Sequence, residues 1–384
     1  MNSSLSIKTK EKSKYNVLIG LLCLVMIDWN GYGYFYFYIP LFYYICIGGL
    51  RNLDINFKLL LLFGVTYSLI HYLNYNTIRY AYNILPVLNF PIMYLMGRSL
   101  GYRYDENKLL LLIWTFAISL SVLAIISVYY SYQEEGFSII GRDVSLVGYT
   151  NSETDFLYSA TSLYSKLLPL NLFLFFLFVD SKYKWIFFIS GIIAFICAVR
   201  LQSRSAIYVA SVSLVIPLLL GKGINAYKKI IGVVFIIGAV AFVLTYYSDE
   251  LLIIDRFQVN EAINNHGTEG RFDLAQKTAE LLSTRPLGGI MNERYAHNLW
   301  IDSARVSGWI PFFVLMILTY RWLKTTIIIA KESFHTQSFR TFTLVFSICL
   351  FLYFNTEPIL EGAPMLFSLF CLYLGIITSR AIKR

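Results

Sequence analysis

Hydropathy divides the 384-residue chain into about twelve apolar stretches, each close to the roughly 20 residues that a helix needs to cross a bilayer core. They lie near 15 to 29, 31 to 50, 57 to 75, 78 to 97, 108 to 130, 162 to 179, 185 to 200, 205 to 220, 229 to 247, 299 to 320, 340 to 354 and 365 to 380. No water pairs with the backbone inside hydrocarbon, so a crossing segment must satisfy its own hydrogen bonds as a helix. The strict alternation of an outer-membrane barrel is missing. The expected fold class is therefore all-α, a polytopic integral membrane protein of about twelve helices. With 57% hydrophobic and 14% charged residues, the chain is too apolar for a soluble globule of this length.

Charge gives the sidedness. The N-terminal lysines Lys8, Lys10, Lys12 and Lys14 precede the first span, and no small-residue cleavage site follows it, so the span is expected to be retained. With this end in the cytoplasm, loops alternate, and 21 of the 32 Lys and Arg residues fall inside against 11 outside. Both termini are then cytoplasmic. The net charge of +9 belongs to this topology and to an anionic inner leaflet, and no nucleic acid partner is expected. Cys23, Cys46, Cys197, Cys349 and Cys371 all sit in apolar spans without metal-ligand spacing, so neither disulfides, zinc nor any other metal or cofactor is expected. The tract from Gly31 to Pro40 is aromatic enough for either an interfacial tyrosine belt or a sugar-stacking surface. No repeat or linker divides the chain, which reads as one domain over 1–384.

Nine of the eleven outward cations are arginines, against the topological bias, and arginine beside membrane is a candidate anion site. Arg200 and Arg204 form an i, i+4 pair at the outer end of a hairpin of spans, where snorkelling to headgroups is the alternative. Two outward loops are long enough to hold chemistry. In the first, 131–161, Glu153 and Asp155 form a spaced acidic pair within what reads as a solvated loop. In the second, 248–298, Thr268 caps a predicted amphipathic helix that carries Phe272, Ala275, Ala279 and Leu282 on one stripe and ends at Pro286. Arg271, Thr278 and Arg285 recur every seven residues on nearly one face, beside or opposite that stripe. A helix lying on the membrane surface would show the same pattern. Beyond it, Asn298, Asp302 and Arg305 form an i, i+4, i+7 polar stripe that must face protein or water, with His297 one position round. Of the four histidines, only His297 combines membrane depth with polar neighbours.

The order of these elements resembles the O-antigen polymerase and ligase superfamily. The residues that carry the resemblance are Ser203-Arg204, Gly270-Arg271-Phe272-Asp273, Pro286 to Gly289, His297-Asn298 and Gly308, with the turn from Glu357 to Pro364 before the last span. They cover the C-terminal half, and the N-terminal half is similar only in hydropathy. The resemblance implies a bacterial inner-membrane glycosyltransferase of the GT-C type that uses an undecaprenyl-pyrophosphate-linked oligosaccharide. Its implied site has His297 as catalytic base, with Arg200, Arg204, Arg271, Arg285 and Asn298 binding substrate. It also implies inversion at the sugar, no metal, and contact with membrane lipids and with a chain-length regulator.

A polymerase, which moves the growing chain onto the next lipid-linked repeat unit, is the leading expectation. A ligase would move the finished chain to lipid A core. A flippase would need basic residues inside several spans, and among the first nine spans only Lys166 is well inside one. A structural subunit for chain-length control would need no such gathering of arginines and a histidine. Reporter fusions after Gly136 and Asn264 are expected to read the outer side; cytoplasmic readings at both would put every candidate residue in the wrong compartment.

Overall fold

The computed structural model describes residues 2–29, 36–50, 53–135, 143–145, 157–179, 181–201, 203–220, 271–290 and 295–382. For some of these, including 2–12, 204–207 and 271–273, only the backbone is described. The elements in chain order are α1 (Asn2–Met26), α2 (Tyr38–Cys46), α3 (Ile55–Tyr75), α4 (Phe90–Arg103), α5 (Glu106–Glu135), the short strands β1 (Asp143–Ser145) and β2 (Leu157–Ser159), α6 (Ala160–Asn171), α7 (Lys184–Arg200), α8 (Arg204–Leu220), α9 (Arg271–Thr284), α10 (Leu299–Ser307), α11 (Trp309–Lys331), α12 (Gln337–Phe354) and α13 (Pro364–Ile382). A π-helical run, Tyr80–Asn89, leads into α4, a 3-10 run, Leu172–Phe178, extends α6, and a single turn, Ile359–Gly362, precedes α13. The two strands pair antiparallel, Val144 opposite Tyr158, inside the first of the two long loops.

The protein is a helical membrane protein. Among the described residues, five helices are long and apolar enough to cross a bilayer: α3, α5, α11, α12 and α13. Several expected spans take another form. Of the one at 31–50, residues 31–35 lie outside the described residues, and the rest holds the nine-residue α2, which by itself, at about 1.5 Å per residue, is too short to cross. That at 78–97 is the π-helical run joined to α4, and that at 299–320 is cut into α10 and α11 at Gly308. The span at 229–247 lies outside the described residues.

The helix ends follow local chemistry. Asp54 accepts the Phe57 amide at 3.0 Å to open α3, and Asn76, at φ +49°, closes it. Thr336 opens α12 by accepting from Phe339. Gly308, at φ +76°, turns the chain between α10 and α11 in a conformation that side chains resist.

α13 is the central helix, buried continuously from Met365 to Arg380. Its closest neighbour is α4. A Cβ on Gly97 would collide with the Leu372 carbonyl, one on Gly375 with the Tyr94 carbonyl, and one on Gly101 with Ser379 Oγ. Gly97 and Gly101 against Gly375 and Ser379 are two small-xxx-small faces, the pattern that lets membrane helices approach backbone to backbone. α3 meets the π-helical run in the same way, with Gly64 against the Pro86 carbonyl. Farther out, Lys166 of α6 and Asp28, just after α1, form a buried ion pair.

Helix direction defines two ends of the bundle. α5 and α12 start together, with Glu106 bonded to His335 at 2.6 Å and to the Thr336 amide at 2.7 Å. Both run to the opposite end, where Asn355, just past α12, accepts from Asn298 at 3.2 Å. α3 finishes there too, its Asn74 amide donating to Leu287 O at 2.8 Å.

Valine at Gly97 or Gly375 is expected to cost at least roughly 1–3 kcal/mol, since backbone rather than a flexible side chain must give way. Gly20→Val, with nothing within 4 Å of its Cβ, is the control. Unfolding in detergent micelles measures all three, and wild-type stability in both core variants would mean that α4 and α13 are not in contact.

Candidate functional site

The polar stripe of α10 builds the site. Asn298 caps the helix, its side-chain oxygen accepting the amides of Trp300 and Ile301, each at 3.1 Å. One turn later Asp302 reaches back: Oδ1 accepts the Ala296 amide at 2.8 Å and Oδ2 the Asn298 amide at 3.0 Å. These are the backbone amides of the two residues that flank His297. Clamped between them, His297 adopts φ +54°, a left-handed conformation that costs a residue other than glycine roughly 1 kcal/mol or more. Its ring, 32% exposed, has Nδ1 3.7 Å from Oε2 of the buried Glu357, an ion-pair distance rather than a hydrogen bond. The Tyr295 ring stands nearly perpendicular to it at 6.5 Å.

Arg305 holds the clamp. It is 1% exposed, with Nη2 2.6 Å from Glu361 Oε1 and Nε 3.4 Å from Asp302 Oδ1, and it donates to the Ile290 carbonyl at 3.4 Å. Its guanidinium also lies 4.9 Å from the Tyr295 ring centre. Burial pushes the Asp302 and Glu361 carboxyls above the usual carboxylate range despite Arg305 between them. Burial acts to lower Arg305, but the Glu361 and Asp302 charges outweigh it and hold its pKa above the ordinary value. Tyr295 is pushed up to about 12 by burial and then by the Glu361 charge.

The loop that returns to this site packs on the break between α10 and α11. Trp309 N–H donates to the Pro286 carbonyl at 3.0 Å, Gly289 to Val306 at 3.2 Å and Ile290 to Arg305 at 3.0 Å. Any Cβ on Gly308 would collide with the Pro286 carbonyl. Pro286 to Gly289 and Gly308, separate motifs in the chain, are thus one contact.

The arginines lie on several elements. Arg200, at the end of α7, is buried and donates to Ser131 Oγ at 3.3 Å, near the end of α5. It is therefore at the same end of the bundle as His297. Arg204 opens α8 and Arg271 opens α9; their side chains are outside the described set. Arg285 follows α9 and is exposed. Thr278, expected on a face with these cations, is instead buried, and it donates to Leu274 O at 2.7 Å. Ala279, expected on the apolar stripe, is exposed. The inward face is Leu274, Thr278 and Leu282 at i, i+4, i+8, because Leu282 packs with Ile290, Ala304 and Trp309. Glu153, Asp155, Thr268 and His266 lie outside the described residues. His71 is fully buried and stacked on Tyr82 at 4.7 Å, and His335 belongs to the opposite end. Sequence reasoning missed Glu361 and Tyr295 as members of the site. The unusually polar stripe of α10 implied that partners existed without naming them.

No protein-family model matches this chain, and neither does any curated protein.

Asp302→Ala removes both arms of the clamp and one of the two carboxylates around a buried arginine. The expected loss is roughly 3–5 kcal/mol, the range for breaking a buried charge cluster, read as a lower unfolding temperature in detergent. An unchanged temperature would mean that the clamp does not hold the loop.

Proposed function

We propose that this chain is a membrane glycosyltransferase acting on lipid-pyrophosphate-linked oligosaccharide, an O-antigen polymerase of the bacterial inner membrane, with both termini cytoplasmic and its two long loops periplasmic. The observation that carries the reading is His297: a partly exposed imidazole held in a strained backbone conformation by a dedicated carboxylate, at the end of a membrane bundle. Strain sustained by surrounding structure is a mark of functional positions.

In this reading the acceptor sugar hydroxyl gives its proton to His297 while its oxygen attacks the anomeric carbon of the donor. The bond from that carbon to the pyrophosphate oxygen breaks, so the configuration inverts, and the lipid pyrophosphate leaves with the negative charge. Guanidinium groups suit that leaving group through bidentate, charge-assisted bonds, a role that falls to Arg204 and Arg271 with Arg200 and Arg285. Asn298, which caps α10 and bonds Asn355, fixes the approach to the base. Because the donor is already activated, no nucleotide-binding fold is required.

A flippase would need basic residues lining a cavity inside several spans. Lys166, the one Lys or Arg well inside the first nine expected spans, is paired with Asp28 and only 6% exposed, which speaks against that role.

His297→Ala is expected to lose on the order of 10²- to 10⁴-fold in rate while it still inserts and binds the lipid-linked donor. In a deletion strain, lipopolysaccharide reduced to core plus one repeat unit supports a polymerase; bare core with accumulated lipid-linked polymer reassigns the chain as a ligase. Near wild-type turnover in His297→Ala would remove the base from the mechanism.

A further inference from the structure

At the end of the bundle away from His297, three helix termini meet around one carboxylate. Glu106 opens α5. Its Oε1 lies 2.6 Å from His335 Nδ1, and its Oε2 accepts the Thr336 amide at 2.7 Å and the Thr336 hydroxyl at 2.6 Å. Both oxygens are thus engaged by the start of α12. Arg380, in the last turn of α13, lies close enough to feel the charges of Glu106 and Asp105. It makes no ion pair among the described residues, and its Nε and Nη2 are buried without a hydrogen-bond partner. The residue is only 9% exposed. His335 Nε2, on the far side of the ring from Glu106, is likewise buried without a partner.

A guanidinium cannot discard its proton, so its buried N–H groups remain charged donors facing no acceptor. Leaving such donors unsatisfied is costly, and the cost is larger for a charged group than for a neutral one. Glu106 does not relieve it, because its oxygens are turned to α12. The missing acceptor is an anion with several oxygens, and the planar fork of Arg380 fits a phosphate. Arg380 ends a membrane-crossing helix, so it stands where phospholipid headgroups lie. We propose that Arg380, with His335 of the same Glu106 cluster, binds the phosphate of an anionic phospholipid at this face of the membrane. The site is separate from His297 and does not depend on the reaction assigned there.

The test uses the full-length protein purified in maltoside micelles, which contain no phosphate. Its unfolding temperature is measured with and without phosphatidylglycerol, and in inorganic phosphate against chloride at equal ionic strength. Native mass spectrometry counts retained lipid. Phosphatidylglycerol is expected to raise the midpoint on the order of a few °C and to remain bound. Arg380→Gln should lose both effects. Arg380→Lys, a point charge without the fork, should keep only part of them. If inorganic phosphate shifts the midpoint as far as phosphatidylglycerol does, a free anion is the ligand and the lipid assignment falls. An equal lipid response in wild type and Arg380→Gln overturns the site. Should Arg380→Gln not fold, Arg380→Lys and His335→Gln decide: unchanged lipid binding in both overturns it.

Discussion

Where Gly97 and Gly101 of α4 lie against Gly375 and Ser379 of α13, two backbones approach to a distance that no larger residue permits. In a bilayer, lipid tails are as apolar as leucine, so burial of apolar side chains gives little reason for helices to associate. Close packing has to supply it, and this contact is where the chain does so most directly. It fixes α13 at the centre of the bundle, and the arrangement at both ends follows from that. At one end α13 is preceded by the turn that carries Glu357 and Glu361, which brings both carboxylates to α10. At the other it delivers Arg380 to the cluster around Glu106.

The candidate site is a chain of charges that hold one another. Glu361 fixes Arg305, Arg305 fixes Asp302, and Asp302 grips the backbone amides of the two residues that flank His297. Each is buried, so each would be costly alone, and the upward shift that burial gives the Asp302 and Glu361 pKa values reflects that cost. Such a network contributes less to overall stability than an apolar core of equal volume would. What it secures is geometry: a histidine turned out of the ordinary backbone regions at the mouth of a membrane bundle, beside a buried glutamate.

The glycosyl-transfer proposal draws on two separate supports, the order of short motifs along the chain and the strained His297. The fold joins some of those motifs physically. Pro286 to Gly289 packs on Gly308, and the His297-Asn298 pair is capped and clamped by the helix that follows it. Arg200 stands at the same end of the bundle, fixed to Ser131.

The membrane class, the helical backbone and the existence of α9 before Pro286 were all legible in the sequence, because each follows from local chemistry. Hydrocarbon forces internal hydrogen bonding, and a proline lacks the amide that would carry a helix on, as at Pro286 after α9. The stripe Asn298, Asp302, Arg305 was legible for the same reason, since its spacing is that of a helix face. Hydropathy, an average over a window, passed over Gly308 and joined α10 to α11. The inward face of α9 was misjudged between Thr278 and Ala279, because periodicity marks a helix but its rotation is decided by what packs against it. The pairing of Arg305 with Glu361, 56 residues apart, and the meeting of Arg380 with the Glu106 cluster had no local signal at all. Those contacts depend on which helices become neighbours, and that was decided by the fit of small residues between α4 and α13, a match between two surfaces that neither stretch of sequence contains by itself.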